Sequence, residues 1–302
     1  MSRILAVPLA ALLVTACEKT PVEAPRTQLV AQKPAAPAAV TPPVAPKPPD
    51  PPVDTLALSH SDGPDVDHLD RAERLRGDGD STGALIEARK ALADDPEDSD
   101  ALTMVAELGK ASGQKSLAAQ AYERLARLDP EDAVPLIQAA RMRLGAGVPA
   151  AAEALAKAAV GRDEGNVEAW QALGRAQLSQ GNLSGAIRSL EQAQTISPSH
   201  GWVLNNLGFA YLRANQNGEA LEVLERAAEL LPEAAVVQNN LGVARERTGD
   251  LEGAKEAYAR STLLAPRYVK AQVNGQRMAM SRTDGDGGVE STHQPADDDG
   301  EE

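Results

Sequence analysis

The 302-residue chain is poor in cysteine, histidine, aromatic and basic residues, and each shortage excludes something. One cysteine can neither close an internal disulfide nor build a multi-thiolate zinc site. His60, His68, His200 and His293 show no ligand spacing along the chain, so neither a metal nor any other cofactor is expected. Seven aromatic rings (two Trp, four Tyr, one Phe) leave a core to be built from Ala, Leu and Val, which suits close-packed helices better than a β-sandwich. Thirty bases against 44 acids give a formal charge of −14, so the chain as a whole has no electrostatic reason to seek nucleic acid or anionic headgroups. There is no Ser/His/Asp set, no phosphate-cradling glycine loop between strand and helix, and no carboxylate pair that spacing places in a cleft. An enzyme is therefore not expected. Three partial matches do not alter this. The loop opened by Asp78-Gly79-Asp80 has Arg89 where a calcium loop needs glutamate. The run Ser112-Gly113-Gln114-Lys115 lacks the motifs that accompany an acyl-enzyme Ser-x-x-Lys. Asn182-Leu183-Ser184 is a glycosylation sequon, informative mainly in eukaryotic secretion.

Residues 1–16 carry one cation, Arg3, and an apolar run over 4–14. Eleven residues make a helix of about 16 Å, too short for a hydrocarbon layer of about 30 Å, so the run reads as a signal peptide. Val14-Thr15-Ala16-Cys17 resembles the bacterial lipobox. That resemblance implies cleavage before Cys17, a lipid-anchored mature chain and, with Glu18 following, delivery to the outer membrane facing the periplasm. Residues 18–55 hold 11 of the 21 prolines, and four acids balance four bases. Together with Cys17 and the residues up to Pro64, this segment reads as a tether (17–64) of polyproline II character, up to roughly 145 Å long at about 3.1 Å per residue.

Beyond the tether a period decides the fold. Pro96, Pro130, Pro198, Pro232 and Pro266 fall on a 34-residue grid whose vacant slot is Glu164. Twelve residues before each mark stand Ala84, Ala118, Ala152, Ala186, Ala220 and Ala254; five earlier come Gly79, Gly113, Gly147, Gly181, Asn215 and Gly249. A unit of two antiparallel helices follows. Gly or Asn ends the first helix in a left-handed conformation, Ala lets the second approach closely, and Pro stops it.

With Trp170-Gln171-Ala172-Leu173-Gly174 and Leu204-Asn205-Asn206-Leu207-Gly208-Phe209-Ala210-Tyr211 at matching places, the chain resembles the tetratricopeptide repeat family. The resemblance implies an all-α, right-handed superhelical solenoid of six repeats: 65–98, 99–132, 133–166, 167–200, 201–234 and 235–268. A capping helix over 269–282 and an acidic disordered tail over 283–302, with eight acids and no Lys or Arg, complete the expected layout. His68, Arg71 and Ala72 in the first unit, and Leu136, Ala139 and Ala140 in the third, depart from the family pattern. The first unit could be an irregular cap, and Gly145-Ala146-Gly147-Val148-Pro149 could loosen the third.

In this family the first helix of each unit lines a concave groove. The resemblance therefore points to Glu168, Gln171, Arg175 and Leu178 in the fourth unit, Trp202, Asn205, Phe209 and Leu212 in the fifth, and Val236, Asn239, Val243 and Glu246 in the sixth. Trp202, Asn205 and Phe209 share one helix face by spacing, as aromatic anchors beside an amide would in a peptide site. The two rings could equally be covered by a neighbouring repeat or the capping helix. Asn206 and Asn240 match a structural inter-repeat asparagine, leaving Asn205 and Asn239 as ligand candidates. Arg141 and Arg175 stand on a stripe used by some family members to clamp a carboxylate, but the lysines of that clamp are not found, so it is not carried over. The expected function is a periplasmic adaptor whose groove binds a protein or peptide and assembles or localises an envelope complex of pilus or secretion type. A glycan or small-molecule receptor and a passive spacer are the alternatives.

Overall fold

The computed structural model of the protein describes residues 56–63 and 66–280. The expected signal peptide, Cys17, most of the tether and the acidic tail lie outside these residues. Among the described residues there are thirteen helices and no strand, and no helix is long and apolar enough to cross a membrane. Helices pair in chain order: α1 (His68–Gly77) with α2 (Ser81–Asp94), α3 (Ser99–Ala111) with α4 (Lys115–Leu128), and α5 (Val134–Gly145) with α6 (Pro149–Arg162). The second half repeats the scheme with α7 (Val167–Ser179) and α8 (Leu183–Ile196), α9 (Gly201–Arg213) and α10 (Asn217–Leu230), and α11 (Ala235–Thr248) and α12 (Leu251–Leu264). A single helix, α13 (Val269–Met280), packs on α12.

The periodic residues do what their chemistry requires. The six alanines are each at most 1% exposed, at the contact between paired helices. Gly79, Gly113, Gly147, Gly181, Asn215 and Gly249 all have positive φ, between 58° and 92°. In every one of the six turns the next backbone N–H reaches back five residues, from Asp80 to Leu75 O and so on to Asp250 and Arg245 O, at 2.8–2.9 Å. That is the six-to-one bond of a Schellman closure. The third unit shares it, Val148 N donating to Arg143 O at 2.9 Å, so the loosening considered for the 145–149 turn does not occur. Pro149 instead occupies the first turn of α6, where its missing N–H costs nothing. Where the pattern has glycine on the first helix, the partner is very close: a Cβ at Gly174, Gly208 or Gly242 would stand 2.4–2.6 Å from Leu190, Leu224 or Tyr258.

Both ends of the array are covered. Residues 56–63, assigned by sequence to the tether, lie along α2 as a strap. Leu56 is buried in the core of the first two units, Leu58 N donates to Arg89 O at 2.8 Å, and Arg89 Nε donates to Leu56 O at 2.9 Å. Leu56, with half-buried Ala57 beside it, supplies apolar area that a free spacer lacks. At the other end α13 covers α11 and α12. Arg277 forms a two-pronged ion pair with Glu246, whose Oε2 also accepts the Tyr258 hydroxyl at 2.8 Å. Burial, followed by the Glu246 charge, holds the Tyr258 hydroxyl well above the usual phenol range.

Candidate functional site

A concave cavity of about 950 Å³ runs across units two to five. All four residues expected from the fourth unit line it: Glu168, Gln171, Arg175 and Leu178. So do Trp202 and Phe209 from the fifth. Trp202 is half-buried, whereas Phe209 is 2% exposed and belongs to the core beneath the cavity floor. The Arg213 guanidinium stands 5.8 Å from the Phe209 ring centroid, within cation–π range.

The other expected groove residues are placed elsewhere. Leu212 and Val243 are fully buried in the core shared by α9 to α13, and Val236 is half-buried against the neighbouring core without reaching the cavity. Glu246 is held by Tyr258 and Arg277. Asn205 and Asn239 are 0% exposed and belong to a chain of buried amides. In it, Asn240 Nδ2 donates to Asn205 Oδ1 at 3.1 Å, Asn239 Nδ2 to Asn240 Oδ1 at 3.4 Å, and Asn274 Nδ2 to Asn239 Oδ1 at 3.0 Å. The ligand expectation for Asn205 and Asn239 is thus corrected: together with Asn240, which is structural as expected, they tie α9, α11 and α13 together, while Asn206, 4% exposed, lines the cavity. The physical reason is that α11 seals the inner face of α9, and α13 seals that of α11, so the groove closes before the sixth unit.

The charge of the cavity opposes that of the chain. Lys110, Lys115, Arg141, Arg175 and Arg213 line it against a single carboxylate, Glu168. Lys110 and Lys115 reach the wall from either side of the α3–α4 turn; Lys110 stands two repeats before Leu178, on the expected stripe, whereas Lys115 opens α4. Lys115 Nζ crosses to Gly145 O at 2.9 Å, bridging units two and three. Gln138 adds an acceptor, Oε1, that is buried and has no hydrogen-bond partner among the described residues. Five cations in a concave wall focus positive potential on the cavity in spite of the overall −14.

A repeated helical scaffold with an elongated groove of aromatic, amide and basic side chains is a noncovalent binding module in class. Family comparison agrees. Models described as tetratricopeptide repeat match residues 69–133, 137–200, 177–239 and 235–268, and the chain belongs to that family. Among curated proteins none matches it. Similar solved structures include PilW, a widely conserved type IV pilus biogenesis factor. It is 17% identical, with a TM-score of 0.56 over 70% of this chain and 96% of that one. PilF of Pseudomonas aeruginosa is 16% identical, with a TM-score of 0.55 over 71% and 96%. A chain of the APC/C Cut9–Hcn1 hetero-tetramer is 17% identical, with a TM-score of 0.57 over 70% of this chain and 42% of that one. At these identities the likeness is one of fold.

Proposed function

We propose that the protein is a lipid-anchored adaptor of the bacterial envelope whose groove holds an extended, acidic protein segment. The observation that carries the binding reading is the cavity wall: five cations and one carboxylate beside half-buried Trp202, in a chain otherwise strongly acidic. An extended peptide brings backbone carbonyls and amides for Gln171, Asn206 and Gln138, an apolar side chain for Trp202, and carboxylates for the Lys/Arg wall. Binding is noncovalent, and a lipid at Cys17 would raise the local concentration of groove and partner at the outer membrane's periplasmic face. Val14-Thr15-Ala16-Cys17 supports the address. The resemblance in fold to PilW and PilF is what suggests a complex of pilus or secretion type.

The test is affinity capture from envelope extract with the wild-type chain beside a Trp202→Ala/Arg175→Glu double variant of equal helicity. A protein held by the wild type, released by salt and lost by the variant supports the reading; identical catches by both baits sink it. Retention of purified peptidoglycan fragments in place of any protein would favour a glycan receptor.

A further inference from the structure

A second cluster lies outside the groove, where the strap meets the first repeat. His60 comes from the strap, His68 is the first residue of α1, and Asp94 is the last of α2. The two imidazoles meet edge to face with centroids 4.2 Å apart. His60 Nε2 lies 3.1 Å from Asp94 Oδ1, and His68 Nδ1 lies 2.7 Å from Glu87 Oε2. The opposite nitrogens, His60 Nδ1 and His68 Nε2, are buried and have no hydrogen-bond partner; a carboxylate oxygen of Asp62 stands 3.7 Å from the latter. His68 is 1% exposed in its side chain and His60 12%. Buried ring nitrogens left without partners cost free energy that packing alone does not require.

The geometry selects an orientation. The Glu87 carboxylate, 2.7 Å from His68 Nδ1, is placed to accept from Nδ1–H, which turns the buried, unpartnered Nε2 with its lone pair toward whatever occupies the cluster. A carboxylate behind an imidazole in this way is the arrangement that orients histidine toward a metal ion. One nitrogen of each imidazole and one oxygen of Asp94 all lie within 4.8 Å of one another. Tetrahedral bonds of about 2.0–2.1 Å put ligand atoms roughly 3.3 Å apart. The His60–Asp94 pair is already at that spacing, and the remaining closure falls on a strap and a helix-terminal Asp94 that is 58% exposed. Lys90 pairs with Asp62 and Glu87, and Arg71 Nε stands 4.0 Å from Glu87, so three carboxylates face two cations and the local field still favours a cation.

We propose that His60, His68 and Asp94 form a divalent transition-metal site that clasps the strap onto the first repeat, with Glu87 orienting His68. Two imidazoles select zinc-like ions over calcium or magnesium. The spacing along the chain hid the site because its ligands come from three segments that only the fold brings together.

The test uses the full chain stripped of metal and titrated with ZnCl₂ by calorimetry and thermal melting. One saturable zinc per chain is expected, together with a higher melting temperature and slower hydrogen exchange over residues 56–63. His60→Gln and Asp94→Asn should each weaken affinity at least about tenfold, and His200→Gln should not. Because Asp94 is exposed, its variant should melt like the wild type without metal, which separates lost binding from lost folding. Co²⁺ should show tetrahedral ligand-field bands that vanish in the same two variants. Absence of a saturable site, or undiminished zinc binding by His60→Gln and Asp94→Asn, would overturn the proposal.

Discussion

Asn240→Ala tests the buried amide chain most directly. Asn240 is 0% exposed; it donates to Asn205 Oδ1 and accepts from Asn239 Nδ2. Asn205 Nδ2 has no partner of its own, so truncation removes the one side-chain hydrogen bond of a fully buried amide. Stranding a buried polar group costs about 1–3 kcal/mol, and two are stranded, so a loss of about 2–5 kcal/mol is expected once partial relaxation is allowed for. For a folded region near 200 residues, at about 3 °C per kcal/mol, the melting midpoint should fall by roughly 6–15 °C. Asn206→Ala, on the cavity wall one residue from Asn205, should move it far less. Replacing both members of a bonded pair, as in Asn205→Leu/Asn240→Leu, should recover part of the loss, because Asn205 is then no longer stranded and only Asn239 Nδ2 lacks its acceptor. Circular-dichroism melts of these three variants and of the two single leucine variants, beside wild type, would decide. If Asn240→Ala melts within 1–2 °C of wild type, or if the double leucine variant is worse than the sum of its singles, the amide chain is not what joins α9 to α11.

Gly242→Ala should cost about 1–3 kcal/mol, since its Cβ would meet the Tyr258 ring at 2.6 Å, whereas Gly218→Ala, with open space around it, should stabilise by about 0.4–1 kcal/mol; urea unfolding would compare them. The hydroxyls of Tyr211 and Tyr258 are held above the usual phenol range, first by burial and then by Glu191 and Glu246 respectively. Their contribution is complete below about pH 10, where unfolded tyrosine begins to ionise, and is lost as pH rises above it; melts across that range should slope downward, less steeply in Tyr258→Phe. Arg175→Glu should weaken binding of an acidic peptide and flatten its salt dependence by fluorescence anisotropy. Deleting residues 284–302 removes eight acids and no base, so affinity for the same peptide at low salt should rise; an unchanged value would rule out competition by the tail.

What could be read from the sequence followed how narrowly each position restricts its residue. A left-handed turn accepts Gly or Asn and little else, and a helix crossing at close range accepts Ala or Gly. The 34-residue grid, the six alanines and the six turn residues were therefore legible without coordinates. The groove was legible in part. The Arg141, Arg175 and Phe209 stripe lies one repeat apart and does line it. Asn205 and Asn206, however, differ by only about 100° around α9. Which one faces the cavity depends on how far α11 rotates against α9, and no single-helix pattern encodes that. Lys115 reaches the wall from the start of α4, outside the first-helix stripe. The strap was hidden by its neighbours: Leu56 follows eleven prolines, and only α2 shows it to be a core residue.

The six identical turns carry a last consequence. Because each helix pair is closed by the same six-to-one bond, every unit is geometrically interchangeable at its ends, and length becomes a free parameter of the design. Duplicating or excising 34 residues at a turn would change how many residues of a ligand the groove can read without touching the strap at one end or α13 at the other. The array is thus a ruler with fixed end-stops, and on the proposed reading its reach along a bound segment would be set by counting.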